Sequence, residues 1–334
     1  MLLLRALASL KLTPWGLGLL GLASLAVVYF EDAASAWLSG PLLLLALNLA
    51  AAVAINASFR RQLPLLVFHL ALTSLVVLAA AGRLSYLKGR LELTEGHAFE
   101  GHLGFQEAGP LHRSRLAEAR FVNEGFDIRY MAGPIMDQNL NRVRWRDAEG
   151  VERQGDIGAN QPLNLLGYRF YPTSNKGFAP VLLWRPDGRE PVLGALHLPS
   201  YPANSTTQSY EWRPQGSTEA IWIGLATNET LILTDRPSRF RLPDNRDLVV
   251  RWGDERKELP MGQRLSLPGG VLEYRELRTW MGYHVFYDWT IPWLLASCGL
   301  AIVSLGWHFW NKFATRPWNP VAATQDKPDT ADGA

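Results

Sequence analysis

The sequence predicts an integral membrane protein with four transmembrane helices, three N-terminal and one C-terminal. A large extracytoplasmic all-β domain is expected between helices 3 and 4. Three observations carry this expectation. Four long runs are nearly free of ionisable side chains, the 206 residues from Arg83 to Asp288 are polar and punctuated like a β-protein, and the Lys and Arg of the short loops fall on one side.

The four runs are Leu12–Phe30, Trp37–Ile55, Leu63–Gly82 and Trp289–Trp310. At a rise of about 1.5 Å per residue each is long enough to cross the apolar core of a bilayer. A mean hydropathy of -0.04 looks ordinary only because these runs are averaged with the polar block. Residues 1–11, MLLLRALASLK, are apolar with two cations and are expected as a short helix at the cytoplasmic interface. Residues 311–334, ending in small and polar types without periodicity, are expected to form a disordered cytoplasmic tail.

Orientation follows from loop charge. Arg5 and Lys11 precede the first run, Arg60 and Arg61 separate the second from the third, and Lys312 and Arg316 follow the fourth, whereas the first loop holds Glu31 and Asp32. Both termini are therefore expected in the cytoplasm, and the 83–288 block outside, since long domains translocate largely regardless of charge. Ala34-Ser35-Ala36 resembles a signal cleavage site, but an uncharged stretch of nineteen residues with a second span at once behind it favours a retained anchor.

Composition excludes several activities. Cys298 is the only cysteine and lies in the fourth run, so neither an intrachain disulfide nor dithiol exchange is available. There is no C-x-x-C-H for covalent haem. A net charge of +2 with no basic helix gives no support for nucleic-acid binding.

Within the external block, Phe126–Tyr130, Arg142–Arg146, Val181–Trp184, Ile221–Leu225, Leu231–Thr234 and Leu248–Trp252 read as strands between Gly, Pro, Asp and Asn clusters. Arg185-Pro186-Asp187-Gly188 and Asp147-Ala148-Glu149-Gly150 read as hairpin turns. Residues 113–120, RSRLAEAR, suit one short helix, and a sandwich or open two-layer β-structure fits the rest. His97 and His102 in GHAFEGH, with Glu95 and Glu100 nearby, have a spacing of five that matches no common zinc arrangement. Asn204-Ser205-Thr206 and Asn228-Glu229-Thr230 match the N-glycosylation pattern, which matters only in a eukaryotic secretory route. No nucleophile elbow and no phosphate loop occurs.

Two membrane histidines are the candidate ligands. His69 is the sole ionisable residue between Leu63 and Gly82, at a depth where such a group costs free energy without a partner. Imidazole also serves as an axial ligand of haem iron. His308, in GWHFW beside Lys312, suits an interfacial anchor. A histidine that merely bonds to another helix remains the plain alternative for His69.

Several stretches resemble the ResB family, also called CcsB, of the system II cytochrome c biogenesis machinery. They are ASLKLTPWGLGLLGLAS at the start, FHLALTSLVVLAAAG in the third run, FDIRY with the hairpin around RVRWRDAEG, NQPLNLLGYRFYPTSNKG, and the closing LEYRELRTWMGYHVFYDWTIPWLLASCGLAIVSLGWHFW. The order of parts matches as well. Where the family has D-P-G-x-P, this chain has Asp288-Trp289-Thr290-Ile291-Pro292, and it lacks the external cysteines some members carry.

The resemblance implies a subunit of a haem-delivery and cytochrome c synthetase complex in the bacterial inner membrane. Such a subunit helps move haem to the outer face and attach it to apocytochrome c. It is accessory to the haem lyase rather than an enzyme on its own. The implied cofactor is haem b, held transiently and shared with a partner, with His69 in the position of the family's third-helix axial ligand. The implied partner is a CcsA/ResC-type tryptophan-rich multispan membrane protein, and a thioredoxin-like thiol reductant is a further candidate. Two rival readings are a cytochrome b-like electron-transfer subunit that also uses His308, and a membrane scaffold without cofactor.

Overall fold

The structure is a computed structural model that describes residues 2–30, 34–199, 208–217, 219–227 and 229–314. The loop with Glu31 and Asp32, the Asn204 pattern, Asn228 and the tail from residue 315 lie outside the described residues. The chain divides into a helical unit of residues 1–85, 109–111 and 289–334, and a β unit of residues 86–108 and 112–288.

The helical unit contains α1 (Leu2–Leu7), α2 (Leu12–Tyr29), α3 (Ser39–Ile55), α4 (Ala57–Arg61), α5 (Leu63–Ser85) and α6 (Ile291–Ala314), with a 3₁₀ turn at Ser35–Leu38 leading into α3. Among the described residues, four segments are long and apolar enough to cross a membrane: Leu12–Tyr29, Ser35–Ile55, Leu63–Ser85 and Ile291–Ala314. Helix α5 packs against both α3 and α6, and its inward positions include Ala71, Ala80 and Gly82. Small side chains there let backbones approach closely, which is how apolar helices gain contact without a hydrophobic drive. Gly16 of α2 serves the same end, since a Cβ there would lie 2.7 Å from Leu45 of α3.

One polar residue is built into this packing. Asn48 of α3 is buried, accepts from the Thr13 hydroxyl at 2.9 Å, and donates to the carbonyls of Leu7 and Ser9 at 2.7 and 3.0 Å. The carbonyls at and just beyond the end of α1, which have no partner within the helix, thus gain donors. Farther along, Ser74 and Ser297 join α5 to α6 at 3.1 Å, and the Trp289 indole donates to Ser85 at 2.8 Å.

The β unit has sixteen strands: β1 (Leu87–Thr94), β2 (Phe105–Ala108), β3 (Phe121–Tyr130), β4 (Met136–Arg146), β5 (Glu152–Ile157), β6 (Leu163–Leu165), β7 (Tyr168–Pro186), β8 (Val192–Ala195), β9 (Leu198–Pro199), β10 (Ser209–Trp212), β11 (Ile221–Leu225), β12 (Ser238–Phe240), β13 (Leu248–Trp252), β14 (Glu255–Leu259), β15 (Arg264–Leu267) and β16 (Gly270–Tyr287). Among the described residues they form three sheets. The largest runs β2-β1-β16-β7-β6, with β15 on β16 and β8 and β9 on β7. The others run β12-β3-β4-β5 and β10-β11-β13-β14.

A two-layer arrangement therefore understates the fold. Strands β7 and β16 are 19 and 18 residues long, so β7 extends about 60 Å. One compact sheet cannot cover that length. Phe170 meets Phe121 of β3, Phe178 stacks on Phe240 of β12, and Trp184 meets Trp212 of β10, so β7 carries both smaller sheets along its length. From Gly177 to Leu182 every residue of β7 is buried, as expected where both faces are covered.

Two local expectations change. Residues 113–120 hold only a 3₁₀ turn at Leu116–Glu118, because a single buried Leu116 gives no apolar stripe for a longer helix. Leu231–Thr234 is not a strand: Leu231 is buried, while the Leu233 carbonyl accepts from Gly133 and its N–H donates to the Ser238 hydroxyl. Burial of one apolar side chain and scattered bonds replace a ladder there. Both expected hairpins form, β4 to β5 around Asp147–Gly150 and β7 to β8 after Pro186.

Candidate functional site

His69 lies in the second turn of α5 and is half-buried. The preceding break is set by Gln62, whose extended backbone separates α4 from α5, and by Asn56, which caps α4 by accepting from Ser58 N–H at 3.0 Å. This break turns Phe59 of α4 onto the imidazole, with ring centres 4.2 Å apart. Phe68 meets the same ring edge-on at 5.3 Å.

The polar contacts decide what the ring can do. His69 Nδ1 lies 2.7 Å from the carbonyl oxygen of Leu65. A carbonyl only accepts, so Nδ1 carries a proton, and in the neutral ring Nε2 then carries the lone pair. Among the described residues Nε2 has no hydrogen-bond partner. A backbone carbonyl that holds one ring nitrogen while the other is left available is the usual support of a metal-binding histidine. The donor set therefore fits a single axial position on haem iron. Thr73 bonds back to the His69 carbonyl at 2.8 Å and keeps this turn of α5 closed.

His308, half-buried near the end of α6, lines a cleft of about 680 Å³ with Arg61, Gln62, Leu65 and Lys312. Leu65 takes part in both places, but no hydrogen bond or ring contact among the described residues joins the two histidines. Nor do any three His, Cys, Asp or Glu side chains converge as a metal site among the described residues.

In the β unit, His97 and His102 are exposed and line a hollow of about 390 Å³ together with Glu92, Glu100 and His197. His197 is already engaged: Nδ1 is 3.0 Å from Glu92, Nε2 is 2.9 Å from Thr94, and its ring stacks on Trp280 at 4.9 Å. The hydrogen bond from His197 holds the Glu92 carboxyl below its ordinary pKa.

Three buried polar groupings were not apparent in the sequence. Tyr283 donates to Asn141 Oδ1 at 2.7 Å, and the Asn141 amide donates to Asn123 Oδ1 at 2.8 Å and to the Gly125 carbonyl at 2.6 Å. Asn123 donates in turn to the Leu93 carbonyl and accepts from the Gly125 N–H at 3.0 Å, so the register shift between Asn123 and Phe126 has both Gly125 backbone groups bonded to these amides. Glu273 receives Arg185, Arg264 and Arg275 at 3.0, 2.9 and 2.7 Å, and the Arg185 hydrogen bond leads in lowering its pKa. Lys176 is 3% exposed, with Nζ 5.6 and 5.7 Å from the ring centres of Tyr130 and Phe240, and burial pushes its amine down to about 8. Alternation and turn signals do not reveal such contacts, since each partner is distant in sequence.

Comparison with known families gives a match to the model described as ResB-like family over residues 53–318. No curated protein matches the chain.

Proposed function

The chain belongs to the ResB-like family, a membership that fits cytochrome c biogenesis, and from it we propose a membrane subunit of a haem-delivery and cytochrome c synthetase complex. Its four apolar helices span the bacterial inner membrane, with both termini cytoplasmic and the β unit outside. A CcsA/ResC-type partner supplies the tryptophan-rich site this chain lacks, apocytochrome c is the acceptor, and a thioredoxin-like reductant keeps the acceptor's thiols free.

The observation that carries the reading is the 2.7 Å contact between His69 Nδ1 and the Leu65 carbonyl. With Nδ1 committed there, Nε2 is presented as a ligand for one axial position of haem b. His69 would hold the haem jointly with a histidine of the partner. Phe59 and Phe68 restrict the ring's rotation and line it with apolar surface. When bound, haem supplies the vinyl groups that become thioethers on the apocytochrome cysteines.

The test is His69→Ala in the complex with the partner. Haem copurifying with the complex and holocytochrome c are both expected to fall while the protein still inserts, and added imidazole is expected to restore part of each. His308→Ala is expected to have a much smaller effect. Full haem occupancy in His69→Ala would remove the ligand assignment, and stoichiometric haem on the isolated chain, lost equally in both variants, would favour the cytochrome b-like reading.

A further inference from the structure

The outer face of the largest sheet carries a second feature that haem delivery does not use. Register places Lys88 of β1 opposite Phe286 of β16, and Phe286 opposite Arg169 of β7. The next row outward along the strands is Phe105, Arg90, His284 and Tyr171, each opposite the one before. Residues directly opposite in a ladder share a face, so cations and aromatic rings interleave on one surface.

In these two rows three cations outnumber the one carboxylate, Glu107, which lies opposite Lys88. None of Lys88, Arg90 and Arg169 has an ion pair among the described residues, whereas Arg115, Arg142, Arg144, Arg153 and Arg241 are each held by carboxylates. The acid beside Lys88 is Glu107, to which the Tyr86 hydroxyl donates. Arg90 lies over the Phe105 ring at 5.9 Å. A hollow of about 340 Å³ opens here, lined by Ala159, Arg169, Tyr171, Pro172, His284 and Phe286.

In sequence, β1 begins directly after α5, with Lys88 three residues beyond Ser85. On the other side Phe286 and Tyr287 run into Trp289 and Trp293, and such aromatic clusters favour the headgroup level of a bilayer.

We propose that the Lys88–Arg90–Arg169 face and its hollow bind the phosphate headgroups of anionic phospholipids of the outer leaflet. The proposal rests on the membrane-spanning reading given above. Cations attract the anionic surface, the Arg169 guanidinium supplies donors for a phosphate, and Phe286 supplies apolar surface at the glycerol level.

The test places a benzophenone in the hollow, as Tyr171→p-benzoylphenylalanine, in the full chain reconstituted in nanodiscs without other protein. Discs contain phosphatidylcholine alone or with phosphatidylglycerol, and adducts formed on irradiation are identified by mass. A phosphatidylglycerol adduct is expected, reduced about tenfold or more by Lys88→Gln, Arg90→Gln and Arg169→Gln together. The same probe at Glu255, the first residue of β14, is expected to give none. Equal yields with the two lipids, yields unaffected by the three substitutions, or no lipid adduct at position 171 would overturn the proposal. Failure of the chain to enter the discs would instead refute the spanning reading, and the proposal with it.

Discussion

Lys176→Met is expected to stabilise the β unit and to flatten its dependence on pH. The amine sits between Tyr130 and Phe240, and burial lowers its pKa from 10.5 to about 8. The sign follows from linkage. Above about pH 10.5 the lysine is neutral in both states and costs nothing; as pH falls toward 8 only the unfolded chain takes up the proton, so stability is lost. Below about pH 8 both states are charged and the full cost is present. A shift of about 2.5 units corresponds to about 3 kcal/mol at 1.36 kcal/mol per unit. The two ring faces and the Ser174 carbonyl at 3.3 Å offset part of this, leaving about 2 kcal/mol.

The assay is denaturant unfolding of the full chain in detergent, followed by fluorescence of the buried Trp184 and Trp280. The wild type is expected to gain about 2 kcal/mol between about pH 7 and pH 10, and Lys176→Met to be flat over that range and more stable at its lower end. The window closes near pH 10, because burial raises the pKa of Tyr130, Tyr274 and Tyr283, and stability stored there is lost as the unfolded tyrosines ionise. A wild type flat between pH 7 and pH 10, or a methionine variant less stable at neutral pH, would show that the amine is not the strained element it is taken to be.

Three further outcomes are expected. Tyr283→Phe removes the donor to Asn141 Oδ1 and leaves a buried acceptor unmet, a loss of about 2 kcal/mol in the same unfolding assay. Leu166 has φ 53° in the Leu166-Gly167 turn between β6 and β7 and is exposed, so Leu166→Asn is expected to gain about 1 kcal/mol, whereas Gly167→Ala is expected to destabilise because its φ is 86° and a Cβ would press on Tyr287 at 3.0 Å. A periplasmic reporter joined after Gly253 is expected to be active and one joined after Arg316 inactive; the reverse pattern would put the β unit in the wrong compartment.

The helices were legible because absence of charge over some twenty residues is a one-dimensional signal; α2 and α3 end at or within a residue of the runs read from sequence. Helix α5 instead runs on to Ser85, since Arg83 in its last turn favours the helix's negative end. Strand positions such as Ile221–Leu225 were legible from β-branched and aromatic content, but their division into three sheets was not, because β11 pairs with β13 and β12 returns to β3. For the candidate site, the isolation of His69 marked it at once. What the sequence could not contain was its orientation, which depends on the Leu65 carbonyl and on Phe59 brought over by the break at Gln62. Lys176 was invisible for the same reason: a lysine in NKG reads as a solvated turn until Tyr130 and Phe240 close over it.

The pairing of β1 with β16 has a consequence for biosynthesis. Leu87 lies opposite Tyr287, so one of the two neighbours of the first strand is made about 200 residues later. At ribosomal speed that delay is roughly 10 to 40 s, during which β1 and β7 each lack the strand that belongs between them. The intervening sheets can begin to form, but the long central ladder closes only when β16 arrives, immediately ahead of α6. A chain released before that point exposes two unpaired strand edges to other chains and to proteases. Completion of the β unit and synthesis of α6 are thus almost one event, and any truncated copy is marked for removal by its own open edges.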